Sequence, residues 1–496
     1  MMAINMSVRE SHTNRRTRER KVSASKTNRT HQINTTGMPS ATSPRIVRPT
    51  NDDATAWQAY WAAQGQSWRT APEIAPDRQA YLAERRATPA DVMAGTYPLK
   101  DVTPPLTRAD VEWLLASHED GRGPVDWSDP KQRNRVGIDL RGADLSHRDL
   151  SNLPLTRMLA DIAWREHADL TAEQHAMSAV SFENADLKGA HLEGAGLEYA
   201  NFRKADVRLA HLEEVRLGAA ECDGAFLAFA HLEGADLSLA HLDDAFLWGA
   251  FLADATLHET HLEGAHLDGA VLADADHIGP RLVDVRWGDA NLAVIDWSQL
   301  HMLAEEAIAR KIKLAEPEAP IDAPVTQSGG NDALRPAPPR DEQFAPYDDA
   351  VRANRQLALA LRGQGLNEDA DRFAYRAQVL QRAVFRRRRK YGAYLFSWFL
   401  DGVAGYGYHM QRIVFTYASA LLLFAVAYYV VGALSGAPMS AGVAIITSIT
   451  AFHGRVFAAG FKAGDALSWV TAAEALVGVI VEGVFIAMLT QRFFGR

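Results

Sequence analysis

Two carboxylates in an apolar stretch, Glu474 and Glu482, are the side chains best placed to do chemistry. They stand eight residues apart, about two helical turns, so they lie on similar faces. A carboxylate at membrane depth is costly unless it pairs, protonates or faces water, which makes ion handling one reading. The other is structural, with Glu474 bonding to nearby backbone to hold an oligomer together. Upstream, Thr447, Thr450, Phe452, His453, Gly454 and Arg455 could shape a constriction made positive by His453 and Arg455. Equally, those two could rest among outer headgroups. A second set is histidine: His191, His211 and His231 fall twenty residues apart, and His241 and His261 form a similar pair. Such ladders could hold a transition metal or titrate near neutral pH. The simpler reading is stacked exterior rings, each beside an acid such as Glu193, Glu213 or Glu233, and no metal is assigned to them. His258-Glu259-Thr260-His261 lacks the i, i+4 spacing of a helical zinc site, and no phosphate loop or nucleophile elbow occurs. The chain reads as non-enzymatic and without a cofactor.

The element that carries the histidines has an unusual period. From Phe182 to Trp297 a large residue, usually Leu, recurs at every fifth position, through Leu187, Leu192, Cys222, Leu242, Leu267, His277 and Leu292. Ala stands two residues before most of them, as at Ala185, Ala190 and Ala195. A period of five matches neither a helix nor a flat strand, but a coil that turns a corner every five residues keeps these positions on one core. On that geometry His191, His211 and His231 share a face, and His241 and His261 lie on the opposite one. The triplets Ala185-Asp186-Leu187, Ala235-Asp236-Leu237 and Ala290-Asn291-Leu292 resemble the motif of the pentapeptide-repeat family. That resemblance implies a square right-handed parallel β-helix, four repeats to a coil and about six coils at ~4.8 Å. Leu140, Leu145, Leu150, Leu155 and Leu170 keep the period in another phase, so an insertion around Thr171 to Ser178 is expected, and the β-helix starts near Gly137. Cys222 replaces an inward Leu and is expected to be buried.

The remaining chain divides by composition. The first fifty residues carry ten Lys/Arg against Glu10 and Glu19 and cannot bury a core. We therefore assign 1–52 to a disordered basic tail with no secretory signal, 53–135 to a small helical segment, 136–298 to the β-helix and 299–313 to a capping helix that covers its open end. Thr107 and Asp110 form an N-cap signature ahead of a helix beginning at Arg108. Residues 314–346 hold seven prolines and read as a linker, and 347–392 as a cytoplasmic α-helical hairpin ending in Arg386-Arg387-Arg388-Arg389-Lys390.

Residues 393–496 read as a two-transmembrane-helix domain with a re-entrant, pore-loop-like segment. Ile413 to Leu434 is 22 residues without a charge, enough to cross a ~30 Å hydrocarbon core, and Ala466 to Thr490 is a second span. The basic run before the first and Arg492 and Arg496 after the second place both termini in the cytoplasm of an inner, plasma-membrane protein. Gly405-Tyr406-Gly407-Tyr408 precedes the first span and reads as an interfacial turn. Between the spans, Ser440 to Thr450 is too short to cross. The order of span, short helix, Thr-rich turn and span is similar to the two-transmembrane ion-channel family, as is Glu474-Ala475-Leu476-Val477-Gly478 in the second span. The chain departs from that family where a potassium filter would stand: it has Thr450-Ala451-Phe452-His453-Gly454-Arg455.

The expected function is an ion-channel-like pore, homo-oligomeric and tetrameric if it conducts, joined to a pentapeptide-repeat domain that senses or docks an unknown protein partner. The competing expectation is a membrane-tethered interaction scaffold. A weaker one is a DNA-mimicking topoisomerase regulator, since Val180 to Trp297 carries 22 acids against seven Lys/Arg. We read that charge as a solvated face. Membrane lipid is the expected partner and nucleic acid is not.

Overall fold

The computed structural model describes residues 47–162, 170–275, 277–310, 345–455 and 465–494. Positions 1–46 of the expected tail and 314–344 of the expected linker lie outside them.

The fivefold period produces a β-helix. On one face Asp139, Leu159, Gly196, Arg216, Asp236, Thr256 and Arg281 pair in parallel, one above the next, which gives seven levels. Each face contributes one paired residue per coil, so the rungs are single bridges and no extended strand forms among the described residues. Corners alternate with rungs: Ala185 N–H donates to the Phe182 carbonyl (2.9 Å), and Asn184 between them sits at φ +55°. That left-handed third residue is what a type II turn demands, and glycine supplies it at Gly189, Gly194 and Gly224. Apart from Ala275, the Leu and Ala columns are buried, as is Cys222. Burial pushes the Cys222 thiol up to about 12, so it packs as an inert hydrophobe.

The two insertions differ in kind. Asp144 pairs with Ser181, 37 residues on rather than twenty, and the surplus holds a short helix, α4 (Ala172–Ser178), capped by Thr171 and Gln174, where a loop was expected. Leu170 belongs to a side cluster with Tyr97 and Ile162, not to the main column. The second insertion is silent in the sequence. Thr256 pairs with Arg281, 25 residues on, so one whole repeat is looped out without changing the phase. His277, expected in the core column, is therefore 40% exposed at its side chain, with Nδ1 2.9 Å from Asp274.

Both ends are closed by helices. At the N-terminal end stand α1 (Ala54–Ala62), α2 (Pro76–Ala87) and α3 (Arg108–Ala116), and the last two bury Leu82, Val111, Leu114 and Leu115 in the same core as the first coil. Thr107 and Asp110 form a reciprocal capping box on α3. At the C-terminal end, α5 (Ala304–Ala309) is followed by a hairpin, α6 (Ala345–Gly363) and α7 (Asn367–Arg387), whose Leu357, Leu361 and Phe373 complete the core. Side chains of this hairpin replace the missing next coil. Gln364 accepts from the Leu292 amide (2.8 Å) and donates to the Ala290 carbonyl (2.6 Å), while Gln356 accepts from the Asp284 amide (3.0 Å). An edge that would otherwise template aggregation is thus satisfied by two glutamines.

Glu305 plays the same role from α5, accepting from the Leu282 (2.6 Å) and Val283 (2.8 Å) amides. Burial pushes its carboxyl up to about 7, against the opposing pull of those amides and of Arg281. A folded value above the ordinary 4.5 means that the protonated form is favoured on folding. The associated stability is complete below pH 4.5 and is lost as pH rises through about 7. Relative to wild type, Glu305→Gln is expected to gain about 3 kcal/mol between pH 4.5 and pH 8, read as unfolding midpoints that separate in the variant's favour as pH rises. Parallel curves across that window would contradict this assignment.

Four more helices follow: α8 (Tyr391–Ala404), α9 (Met410–Leu434), α10 (Ala441–Phe452) and α11 (Ala466–Phe494). Within α9 and α11, Gln411–Leu434 and Ala466–Met488 are long and apolar enough to cross a membrane. Asp401 of α8 knots them to the hairpin, accepting from Tyr375 (2.9 Å) and Arg382 (2.7 Å) of α7 and from Arg412 (2.9 Å) of α9. Burial alone would raise its carboxyl, but these partners hold it below the usual carboxylate value. Gly405 and Tyr406 form a left-handed turn between α8 and α9, pinned by a Tyr406–Ser397 hydroxyl pair (2.7 Å).

Candidate functional site

The segment expected to be a Thr-rich turn is helical. Thr447 and Thr450 lie inside α10, and the Thr450 hydroxyl bonds back to the Ile446 (3.0 Å) and Thr447 (2.9 Å) carbonyls. His453 caps the helix, Gly454 N–H donates to the Ala451 carbonyl and Arg455 N–H to the Thr450 carbonyl, both at 2.9 Å. That is a Schellman motif, with Gly454 (φ +68°) at its left-handed position. The expectation of a re-entrant pore loop is corrected for the described residues: His453-Gly454-Arg455 is a helix stop, because a glycine one residue past the cap satisfies the last carbonyls. Residues 456–464 lie outside the described residues.

The two acids do share a face of α11, and α10 packs on it. Glu474 is fully buried against Ser448, whose Oγ also lies 2.9 Å from the Leu421 carbonyl of α9. One turn on, a Cβ at Gly478 would stand 2.0 Å from the Phe452 carbonyl oxygen, so the end of α10 rests on bare α11 backbone. One further turn on, Glu482 contacts Nδ1 of His453, whose Nε2 lies 2.9 Å from the Tyr417 hydroxyl of α9. Phe452, fully buried, meets the Tyr417 ring edge-on at 5.0 Å. Arg455 is exposed. Both carboxylates thus fasten α10 to α11. The His453–Glu482 pair borders a cleft of about 410 Å³ whose other walls are Tyr417 and the apolar Ile413, Val414, Val481, Phe485 and Ile486. The sequence treated Glu482 and His453 separately because 29 residues divide them, and Tyr417 and Ser448 carried no signal at all.

A second feature lies on the β-helix. Phe226 and Phe246 stack on adjacent levels at 5.0 Å, and His266 continues the stack at 4.9 Å. Phe229 lies over Gly249 at the neighbouring corner, beside Trp248, and Leu209 sits one level away through its bond to the Ala228 carbonyl. Leu209, Phe226, Phe229, Phe246 and Trp248 are all exposed, Trp248 by 61%. None of them occupies a core position, so folding of the coil does not require their apolar character. On the next face the His191, His211 and His231 rings stack with interplanar angles of 1° and 4°.

Residues 177–213, 210–249, 220–258 and 250–276 match the family described as "Pentapeptide repeats", in eight copies. This segment is a run of pentapeptide repeats. The matched residues fall on the coils of the β-helix. Solved structures similar to the chain include the pentapeptide-repeat protein Rfr23 from the cyanobacterium Cyanothece 51142, at 26% identity over 31% of this chain and 91% of that one, with a TM-score of 0.18. HetL from Nostoc sp. strain PCC 7120, involved in heterocyst differentiation regulation, is 25% identical over 31% of this chain and 83% of its own, with a TM-score of 0.12. QnrB1, a plasmid-mediated fluoroquinolone resistance protein, is 19% identical over 36% and 93%, with a TM-score of 0.14. No curated protein matches the chain.

Proposed function

We propose that this chain is a non-enzymatic membrane protein in which α9 and α11 anchor a pentapeptide-repeat scaffold that docks a protein partner at the bilayer surface. The observation that carries the reading is the exposed aromatic patch around Phe229 and Trp248, which the repeat itself does not need. Contiguous exposed apolar patches mark interaction sites, and aromatic anchors supply most of the binding energy there. The Asp401 knot supports it as well, because it makes the mount between scaffold and anchor stiff. On this reading lipid surrounds α9 and α11, both termini face the cytoplasm, and the acidic coils repel nucleic acid.

The order of span, short helix and span keeps a second reading, a homo-oligomeric channel-like pore, as the competitor. It is the weaker one because Glu474 and Glu482 are both engaged within the chain. A photo-crosslinking residue at position 248 in cells should give a discrete protein adduct, and full-length protein should stay in the membrane pellet after alkaline carbonate. Release by carbonate would end the membrane reading. Absence of an adduct at 248, together with reproducible unitary currents in planar bilayers, would replace docking with conduction.

A further inference from the structure

We propose that the ladder of His191, His211 and His231, with its flanking glutamates, binds a divalent transition-metal ion of the zinc type. The tripeptide His-Leu-Glu recurs at His191-Leu192-Glu193, His211-Leu212-Glu213 and His231-Leu232-Glu233. In each, the Leu is buried in the core, so His and Glu both emerge on the outside of one rung. Successive levels bring these pairs together, with ring centroids at 4.6 and 5.1 Å. Within each level Nδ1 lies 2.9, 3.2 and 3.3 Å from its glutamate Oε1.

Those separations are close to the ligand–ligand edge of a zinc tetrahedron, about 3.4 Å for bonds of about 2.0–2.1 Å. His191, Glu193 and His211 each offer a ligand atom within 4.8 Å of the others, and so do Glu213, His231 and Glu233. Closing either set on an ion needs roughly 1 Å of side-chain rotation, on the same bond lengths. The three imidazoles, between a third and a half exposed, are free to make it. A ring that binds through Nδ1 keeps its proton on Nε2, so no further residue is required.

The charge of the ladder favours a cation. Three carboxylates occupy consecutive levels, and Oε2 of Glu213 and of Glu233 are buried without a hydrogen-bond partner among the described residues. Among the described residues the only ion-pair partners of Glu213 and Glu233 are their own histidines, which are neutral unless protonated. Protonating stacked rings this close sets like charges against one another, whereas one dication between levels offsets two carboxylates at once. The ladder is also bounded. Phe251 stacks on His231 at 4.6 Å at one end, and Thr156 holds Oε2 of Glu193 at 2.8 Å at the other. Nitrogen and carboxylate donors with solvent access suit zinc or its neighbours rather than calcium or magnesium.

The test uses metal-stripped full-length protein in detergent, titrated with Zn²⁺ by calorimetry and with Co²⁺ by visible absorption. The variant H191N/H211N/H231N places Asn where the coil already accepts it, as on the bridged rung at Asn201, so the coil should still fold. Wild type is expected to bind at least one more equivalent of Zn²⁺ than this variant, with affinity at least about tenfold tighter at that site. It should also show Co²⁺ d–d bands that the variant lacks. Should the triple variant misfold, E213Q/E233Q gives the same readout on an unchanged imidazole stack. Equal stoichiometry and affinity in wild type and variants, or saturation of wild type only at millimolar zinc, would overturn the proposal.

Discussion

Replacing Gly478 with Val is expected to cost about 3 kcal/mol or more and to free α10 from α9 and α11. A Cβ there falls 2.0 Å from the Phe452 carbonyl oxygen and 2.9 Å from its carbon, and both are backbone atoms of a capped helix end that cannot swing aside. Moving α10 outward also removes Ser448 from Glu474, so a fully buried carboxylate loses one of its hydrogen-bond partners. Helix propensity works the other way, since Val is a better helix former than Gly, so any loss must come from packing. Gly483 provides the control. It lies on the same helix with nothing within 4 Å of its added Cβ, and Gly483→Val should stay within about 1 kcal/mol of wild type. Unfolding midpoints of the two variants in detergent decide the matter. Equal midpoints would mean that α10 is not seated as described.

How much of this could be read beforehand follows from how far apart the partners lie in sequence. The fivefold period is local, repeated over a hundred residues, and gave the β-helix, its square coil and the shared faces of the histidines. The same periodicity hid the looped-out repeat near His277, because inserting five residues leaves every later Leu in phase. Only the change of pairing from Phe251–Val271 to Thr256–Arg281 shows it. At the C-terminal end, Gln356 and Gln364 sit 72 residues beyond the amides they satisfy, on a hairpin whose own periodicity says only that it is helical. Beyond the hairpin, hydropathy located α9 and α11, and the spacing of Glu474 and Glu482 placed both on one face of α11. What they face depended on α10, and there Gly454 pointed two ways. A glycine after an apolar helix fits a loop lining a path as well as a Schellman stop, and the hydrogen bonds from Gly454 and Arg455 decide for the stop.

The other large effect is expected at Glu112, in the helical cap over the first coil. This carboxylate is fully buried, and it is the hub of the cap. It accepts from the Thr70 and Ala71 amides, each at 2.9 Å, and from Arg108 at 2.9 Å, with Arg69 3.9 Å away. Arg108 in turn reaches the β-helix through Asp149 (3.0 Å) and the Ser151 carbonyl (3.0 Å). Glu112→Ala leaves two amides without their acceptor and the buried Arg69 guanidinium without its counter-charge, and such losses cost about 3–5 kcal/mol when one partner of a buried pair is removed. The damage should stay local to α1–α3 and expose the edge of the first coil, so limited proteolysis should cut between residues 53 and 135 before it cuts the β-helix. Glu112→Gln preserves the shape and one acceptor oxygen, and it should lose less than the alanine variant. If both variants resist protease as wild type does, Arg69 and Arg108 are held by their other contacts, and the cap does not depend on this charge.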